Sequence, residues 1–162
     1  MQTTSYDHPN VIVFPPVILA TTVVLACMLQ WLLPLGELEV VNHTVRILAG
    51  VLVFLTGIAF AATGHLTLVR AGTNVSPLRP TTALATTGIY SWTRNPLYTG
   101  GTFLMLGIAF AFALDWLLLL IVPSILVLHF GVVRKEERYL ERKFGDSYLR
   151  YKANVARYGF GL

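Results

Sequence analysis

Two polar segments hold most of the side chains in this sequence that could do chemistry. One reads GIYSWTRNPLY over residues 88–98, and the other reads RKEERYLERKF over residues 134–144. In the first, Arg94 stands directly before Asn95 and Pro96, and proline is well placed at the first position of a helix. A helix starting there offers unpaired backbone amides beside a guanidinium, the ingredients of an anion site. The alternative for Tyr90, Trp92 and Arg94 is a set of anchors at a membrane–water interface. In the second segment Glu136 and Glu137 stand at the head of a tail with eight basic residues. Carboxylates gain nothing from an anionic lipid surface, and adjacent helix positions point about 100° apart. One Glu can therefore pair with Arg134 or Lys135 while the other faces inward. An amphipathic helix lying on anionic lipid is the alternative for the tail as a whole.

Other chemistry is poorly represented. His65 and His129 fall in or near apolar runs, where histidine is a functional candidate. Two single histidines without carboxylate neighbours make a poor metal site, so no metal is expected. The one cysteine, Cys27, lies in an apolar run, which excludes a disulfide framework and a cysteine-based metal centre. The sequence has no G-x-S-x-G, no Walker loop, no H-E-x-x-H and no Rossmann glycine pattern. Soluble-enzyme chemistry of those kinds is excluded.

The elements that position the two segments follow from composition. Of 162 residues, 55% are apolar and 12% charged, about half the charge of an ordinary soluble domain. Mean hydropathy is +0.65. The expected fold is an all-α, polytopic membrane helical bundle of about four spans with a cytoplasmic helical segment at its carboxyl end. The spans are expected at 11–36, 47–69, 95–114 and 116–133, all free of Asp, Glu, Lys and Arg. The first is too long for a secretory signal and lacks a basic leader, so it reads as a retained span. The last two form a tight hairpin with Asp115 at its tip. Between the second and third spans, Pro77 and Pro80 forbid a continuous helix through 70–94. In the tail, a helix from Arg134 to Phe144 stops at Gly145. Asp146 then caps a second helix carrying a Tyr148, Tyr151, Val155 stripe. Gly50, Gly57, Ala61 and Gly64 in the second span, and Gly100, Gly107 and Ala111 in the third, suit close packing of helices in lipid.

Charge sets the expected orientation. Among the twelve basic residues only Arg46 falls in the connector 37–46, with Glu37 and Glu39; the others fall at 70–94 or in the tail. Four spans place both termini with those eleven, on the side the positive-inside rule makes cytoplasmic. Glu37, Glu39 and Asp115 then face away. The net charge of +4 thus reflects membrane orientation, and no nucleic-acid partner is expected.

Taken together, the polar segments resemble the isoprenylcysteine carboxyl methyltransferase family, which is akin to the membrane phospholipid methyltransferases. The matching residues are Gly88, Tyr90, Arg94, Asn95, Pro96 and Tyr98, then Glu136, Glu137, Leu140, Phe144, Gly145, Tyr148, Tyr151, Val155 and Arg157. They cover the second half of the chain, and it is the combined pattern with its intervening hairpin that is specific. Asn95 stands where relatives commonly have His, and Ile89 where they have Pro. The resemblance implies an integral membrane, S-adenosylmethionine-dependent methyltransferase with its cofactor pocket at the cytoplasmic face. Its acceptor would be a lipophilic small molecule or lipidated group (a carboxylate, amine or thiol) reached from the lipid bilayer. It further implies Gly88, Tyr90, Arg94, Asn95, Pro96, Tyr98, Glu136, Glu137 and Tyr151 as cofactor-binding residues, and Arg134 and Glu137 as catalytic ones. A carboxylate of Glu136 or Glu137 would hold the cofactor's ammonium or ribose, and Arg94 or Arg134 its carboxylate. Glu137, sharing a face with Leu140 and Phe144, is expected to point inward. Glu136 is expected to share that role or pair with Lys143, and Glu141 to face solvent. Two other readings stay open: an NADPH-dependent membrane reductase resembling steroid reductases, and a small non-enzymatic membrane protein.

Overall fold

The computed structural model describes residues 7–159, and every regular element among them is helical. Pro15 and Pro16 occupy the first turn of α1 (Pro15–Leu32), where their missing amides cost least. The chain leaves α1 just before Pro34. Helix α2 (His43–Arg70) begins where the Asn42 side-chain oxygen accepts the Thr44 and Val45 amides at 3.0 and 3.2 Å. Helix α3 (Pro96–Phe112) starts on its proline and ends where Ala113 adopts left-handed backbone, φ 54°. Helix α4 (Asp115–Leu128) continues through a π turn (His129–Val133) into α5 (Arg134–Phe144). After Gly145, at φ 52°, comes α6 (Asp146–Asn154).

Three helices are long and apolar enough to cross a membrane: α1, α2 and the continuous 30-residue Asp115–Phe144. Helix α3, at 17 residues, is a shorter apolar helix. Two expected boundaries change. The first span is trimmed from 11–36 to its helical part by the prolines at its ends. The segment expected at 116–133 and the helix expected from Arg134 form one continuous helix, joined through the π turn.

Asp115 is not an exposed tip. It is 5% exposed, and its carboxylate accepts the amides of Leu38 at 2.8 Å and Gly36 at 3.1 Å and the Gln30 side-chain amide at 3.3 Å. A buried carboxylate is tolerable when so many donors surround it, and here it ties the end of α1 to the start of α4. Trp116 adds an indole hydrogen bond to the Leu33 carbonyl at 2.7 Å. The opposite end of the bundle, where α2 ends and α3 begins, holds both polar segments.

The α2–α3 contact is the closest in the molecule and is made by the expected small residues. A Cβ added at Gly107 would lie 2.6 Å from the Phe54 backbone amide, and one at Gly57 would lie 2.7 Å from that of Leu104. Gly100 faces Ala61, and Gly64 faces Pro96. Close backbone approach of this kind is how helices associate where lipid offers no hydrophobic drive. It also fixes the height and direction of Pro96, and so of Arg94 and Asn95 just before it. Gly57→Ala is expected to destabilise the protein by about 1–3 kcal/mol through overpacking. Gly131→Ala, whose Cβ would meet only Ile12 at 3.7 Å, should change little. Thermal unfolding of the two variants in detergent checks this.

Candidate functional site

A cleft with a cavity of about 110 Å³ opens at the polar end of the bundle. The loop from Asn74 to Ala85 and Leu68 of α2 form one wall; Tyr90, Arg94, Asn95 and Tyr98 form the second. Glu136, Glu137 and Leu140 of α5 face them, Tyr148 and Tyr151 of α6 close one side, and Pro9 closes the other. The loop is held by its own polar side chains. The Thr73 hydroxyl accepts the Thr82 amide at 3.0 Å, Asn74 donates to the Pro80 carbonyl at 2.8 Å, and the Tyr139 hydroxyl accepts the Thr81 amide at 3.1 Å.

Glu137 is the centre of the site. It is 6% exposed, and it accepts Nε and Nη2 of Arg157, each at 2.8 Å. Arg94 Nη1 lies 2.9 Å from its Oε1. This bidentate pair raises the already high pKa of the Arg157 guanidinium further. The backbone follows the same path. The Arg157 carbonyl accepts the Thr93 hydroxyl at 3.0 Å and the Asn95 side-chain amide at 3.1 Å, and the Arg94 amide donates to the Ala156 carbonyl at 3.0 Å. Asn95 thus clasps the tail to the start of α3.

Arg94 and Glu136 face the cleft differently. The Arg94 side chain is 7% exposed; its Nη1 is paired with Glu137, and its Nε makes no hydrogen bond among the described residues. The other buried guanidinium with unbonded nitrogens, Arg46, does not line the cleft. Glu136 is half-buried, and the Tyr98 hydroxyl spans its two oxygens at 2.9 and 2.8 Å. Each carboxylate oxygen has two lone pairs, so Glu136 keeps accepting capacity on its cleft side, whereas Glu137 is occupied by two arginines. The Tyr151 hydroxyl donates to the Tyr90 carbonyl at 2.7 Å. Burial raises the phenols of Tyr90 and Tyr151, and burial with the nearby Glu137 charge pushes Tyr148 up to about 12. All three remain neutral donors at physiological pH.

Of the residues expected at a site, Tyr90, Arg94, Asn95, Tyr98, Glu136, Glu137 and Tyr151 come together on the cleft. Gly88, Pro96 and Arg134 do not line it. Gly88, at φ 60°, turns the chain so that Tyr90 enters, and Pro96 packs on Gly64. Arg134 is exposed and lies over the Phe130 ring, 5.6 Å from its centroid. Glu136 does not pair with Lys143, which binds Asp7 and the Tyr139 hydroxyl. Glu141 is not left to solvent; it pairs with Lys152. Of the three expected interfacial residues only Trp92 is exposed, with its ring against Phe60. Tyr148 and the loop wall are additions to the expected site. So is Arg157, which the tail motif contains but which sits twenty residues beyond its partner. Its signal in the sequence was its place in that motif, which assigned it no role. His129 bonds the Tyr158 hydroxyl at 2.9 Å, away from the cleft.

A family model described as phospholipid methyltransferase matches residues 45–147. The match runs from the first turn of α2 into α6 and includes both polar segments. No curated protein and no solved structure matches the chain significantly.

Removing Glu137 leaves two cations, one of them buried, without their anion. Breaking a buried pair in this way costs about 3–5 kcal/mol. Glu137→Ala should therefore unfold at a markedly lower temperature and exchange its 146–159 amides faster. Glu141→Ala loses only a partly exposed pair and should cost less than about 1 kcal/mol. Calorimetry and hydrogen exchange on the two variants provide the comparison.

Proposed function

The chain belongs to the phospholipid methyltransferase family, a family of membrane methyltransferases, and from that premise we propose that it transfers a methyl group from S-adenosylmethionine to a lipophilic acceptor at the polar-end cleft. The observation that carries the reading is the charge lining the cleft: one arginine with a buried, unbonded Nε opposite one carboxylate with free lone pairs. That donor set suits a ligand with an anionic and a cationic end. S-adenosylmethionine is such a zwitterion, and when bound it supplies an electrophilic methyl group on a sulfonium.

The chain's residues then divide the work. Arg94, aimed by its Nη1 contact with Glu137, binds the cofactor carboxylate through Nε, a buried nitrogen that is costly to leave unbonded. Glu136, held by Tyr98, takes the ammonium or the ribose hydroxyls. Tyr90, Tyr148 and Tyr151 offer ring faces to the adenine and the sulfonium. The loop from Asn74 to Ala85 excludes water from the reacting end, since methyl transfer depends on alignment and desolvation more than on proton transfer. Glu137 is a positioning residue that aims Arg94 and fastens the tail, and Arg134 has no part in the cleft. NADPH fits less well, because its phosphates require several cations and the lining provides one against two carboxylates.

We place α1, α2, α3 and the apolar 116–133 part of the Asp115–Phe144 helix as four spans, with both chain ends, α5 and the cleft in the cytoplasm. Eleven of the twelve basic residues then share that side.

Two experiments test these assignments. S-adenosylmethionine at a hundred times its Kd should stabilise the purified protein by about 2.7 kcal/mol, and NADPH should not. Glu136→Gln should weaken that binding about ten- to a hundredfold while leaving the unliganded melting temperature in place. A melting temperature insensitive to S-adenosylmethionine would falsify the cofactor assignment. For topology, single cysteines at 37 and 150 in a Cys27→Ser background should be labelled by an impermeant maleimide from outside only at 37. Labelling only at 150 would invert the orientation.

A further inference from the structure

The segment that precedes α1 crosses the polar end of the bundle. Pro9 is buried and lines the cleft, and two fastenings hold the strap 7–13 that carries it. At one end the Ile12 amide donates to the Gly131 carbonyl of the π turn at 3.1 Å. Val11 and Val13 there pack against the cluster of Ile18, Leu128, Val132 and Val133. At the other end Lys143 Nζ donates to both carboxylate oxygens of Asp7 at 2.7 Å. The Tyr139 hydroxyl lies 3.0 Å from Asp7 Oδ1 and 3.2 Å from the Asp7 carbonyl, with one proton to donate. That hydroxyl also accepts the Thr81 amide at 3.1 Å and Lys143 Nζ at 2.9 Å. One phenol on α5 thus fastens both segments that cover the cleft, the strap and the loop from Asn74 to Ala85.

The two ends of the strap differ in strength. The Ile12 end is an amide–carbonyl bond backed by apolar packing. The Asp7 end is an ion pair whose side chains are 60% and 25% exposed, and such pairs contribute little and are screened by salt. Bonds within the strap reach no further than two residues: the Val11 amide to the Pro9 carbonyl at 2.8 Å, and His8 Nδ1 to the same oxygen at 3.2 Å. The loop, by contrast, closes on itself, with the Thr82 hydroxyl on the Gly72 carbonyl at 2.7 Å and Asn74 on the Pro80 carbonyl at 2.8 Å. Residues 7–10 can therefore swing from Ile12 while the loop keeps its shape.

Something must move for the cleft to fill. Its cavity of about 110 Å³ falls short of the roughly 300–1,000 Å³ of pockets that hold small molecules and cofactors. The α2 and α3 walls are locked by backbone contact at Gly57 and Gly107. The α5 wall continues the α4 helix, and the tail behind α6 is tied to it through Arg157 and Glu137. Pro9 is the wall with the weakest attachment. The strap also lies before the residues that the family model matches.

We propose that residues 7–10 are a gate over the cleft, latched by Asp7 on Lys143 and Tyr139, past which the cofactor enters and leaves when the latch opens. The proposal rests on the reading of the cleft as a cofactor site and adds a control to it. Exchange of the cofactor is limited by an ion pair outside the binding residues, and ionic strength sets how often that pair opens.

Two measurements on Asp7→Ala and Lys143→Met test the gate. The first places a cysteine at Ala85, a buried position lining the cleft, in a Cys27→Ser background. Its modification by a methanethiosulfonate reagent should speed up about two- to fivefold in either latch variant, the range that an exposed ion pair supplies. Potassium chloride at about 1 M, where the Debye length is about 3 Å, should bring the parent to the same rate and leave the variants unchanged. In the second, stopped-flow association and dissociation rates of S-adenosylmethionine should rise together by a similar factor, with Kd kept within about twofold. A residue that only supported the fold would change Kd instead. Glu141→Ala removes another partly exposed pair from α5, away from the cleft, and should leave all of these rates alone. Equal thiol modification in the parent and both latch variants overturns the gate, as do unchanged exchange rates. Failure of the parent to bind S-adenosylmethionine would sink the cofactor reading instead, and the thiol rates would still decide the gate.

Discussion

One carboxylate holds the polar end of this protein together. Glu137 stands on a helix emerging from the apolar bundle and receives Arg94 from the start of α3 and Arg157 from the tail. Neither arginine is near it in sequence, so the contact joins three separate chain segments. Two arginines around one carboxylate leave guanidinium N–H groups over, and those of Arg94 are buried. An arrangement that is saturated on the anion side and unsaturated on the cation side is stable as a fold and incomplete as a hydrogen-bonding network. On the proposed reading, that asymmetry is what suits the cleft to a ligand with an anionic end. It also divides adjacent residues by role, since Glu137 is consumed by structure and Glu136 is not.

The helices below exist, from the standpoint of the cleft, to deliver those charges at fixed positions. Backbone contact between α2 and α3 is close enough that a single Cβ would collide at Gly57 or Gly107. Close-packed elements do not deform continuously, so Arg94 and Asn95 inherit the rigidity of that pair. At the far end Asp115 performs the corresponding task for α1 and α4. The cleft is therefore built on the ends of a clamped bundle, with its mobile-looking connector 71–87 fastened by threonine and tyrosine hydroxyls.

Much of this was legible in the sequence, and unevenly. The small-residue stripes in the second and third apolar segments reported their own contact, because their spacing is a local property of each helix. The inward direction of Glu137 followed from the face it shares with Leu140. What the sequence could not display was partner choice. Arg134 and Lys143 lie on the same helix as the two glutamates, yet Arg157 reaches Glu137 through the reversal at Gly145, and Lys143 is taken by Asp7. Asp115 looked like an exposed tip because its donors are backbone amides of a different connector, which carry no sequence signature. The four-residue step from Asn95 to Thr99 shows an N-terminus, but nothing local shows that the Asn95 amide is spent on the tail.

The π turn decides which charge faces the cleft. Inward positions on α4 run through Leu117, Ile121, Ser124 and Leu128, and two regular turns of about 3.6 residues beyond Leu128 would arrive at Lys135. The π turn over His129–Val133 adds a residue to that path. The place passes from Lys135 to Glu136, and the next buried charge is Glu137. Wider turns leave carbonyls poorly served by their own helix, and here the Gly131 carbonyl is taken by the Ile12 amide. The same turn that sets a carboxylate rather than an ammonium opposite Arg94 thus also anchors the segment that brings Pro9 to the cleft. A regular helix through these residues would put a cation across from a cation, and the pocket would have no anion left to offer a positively charged ligand.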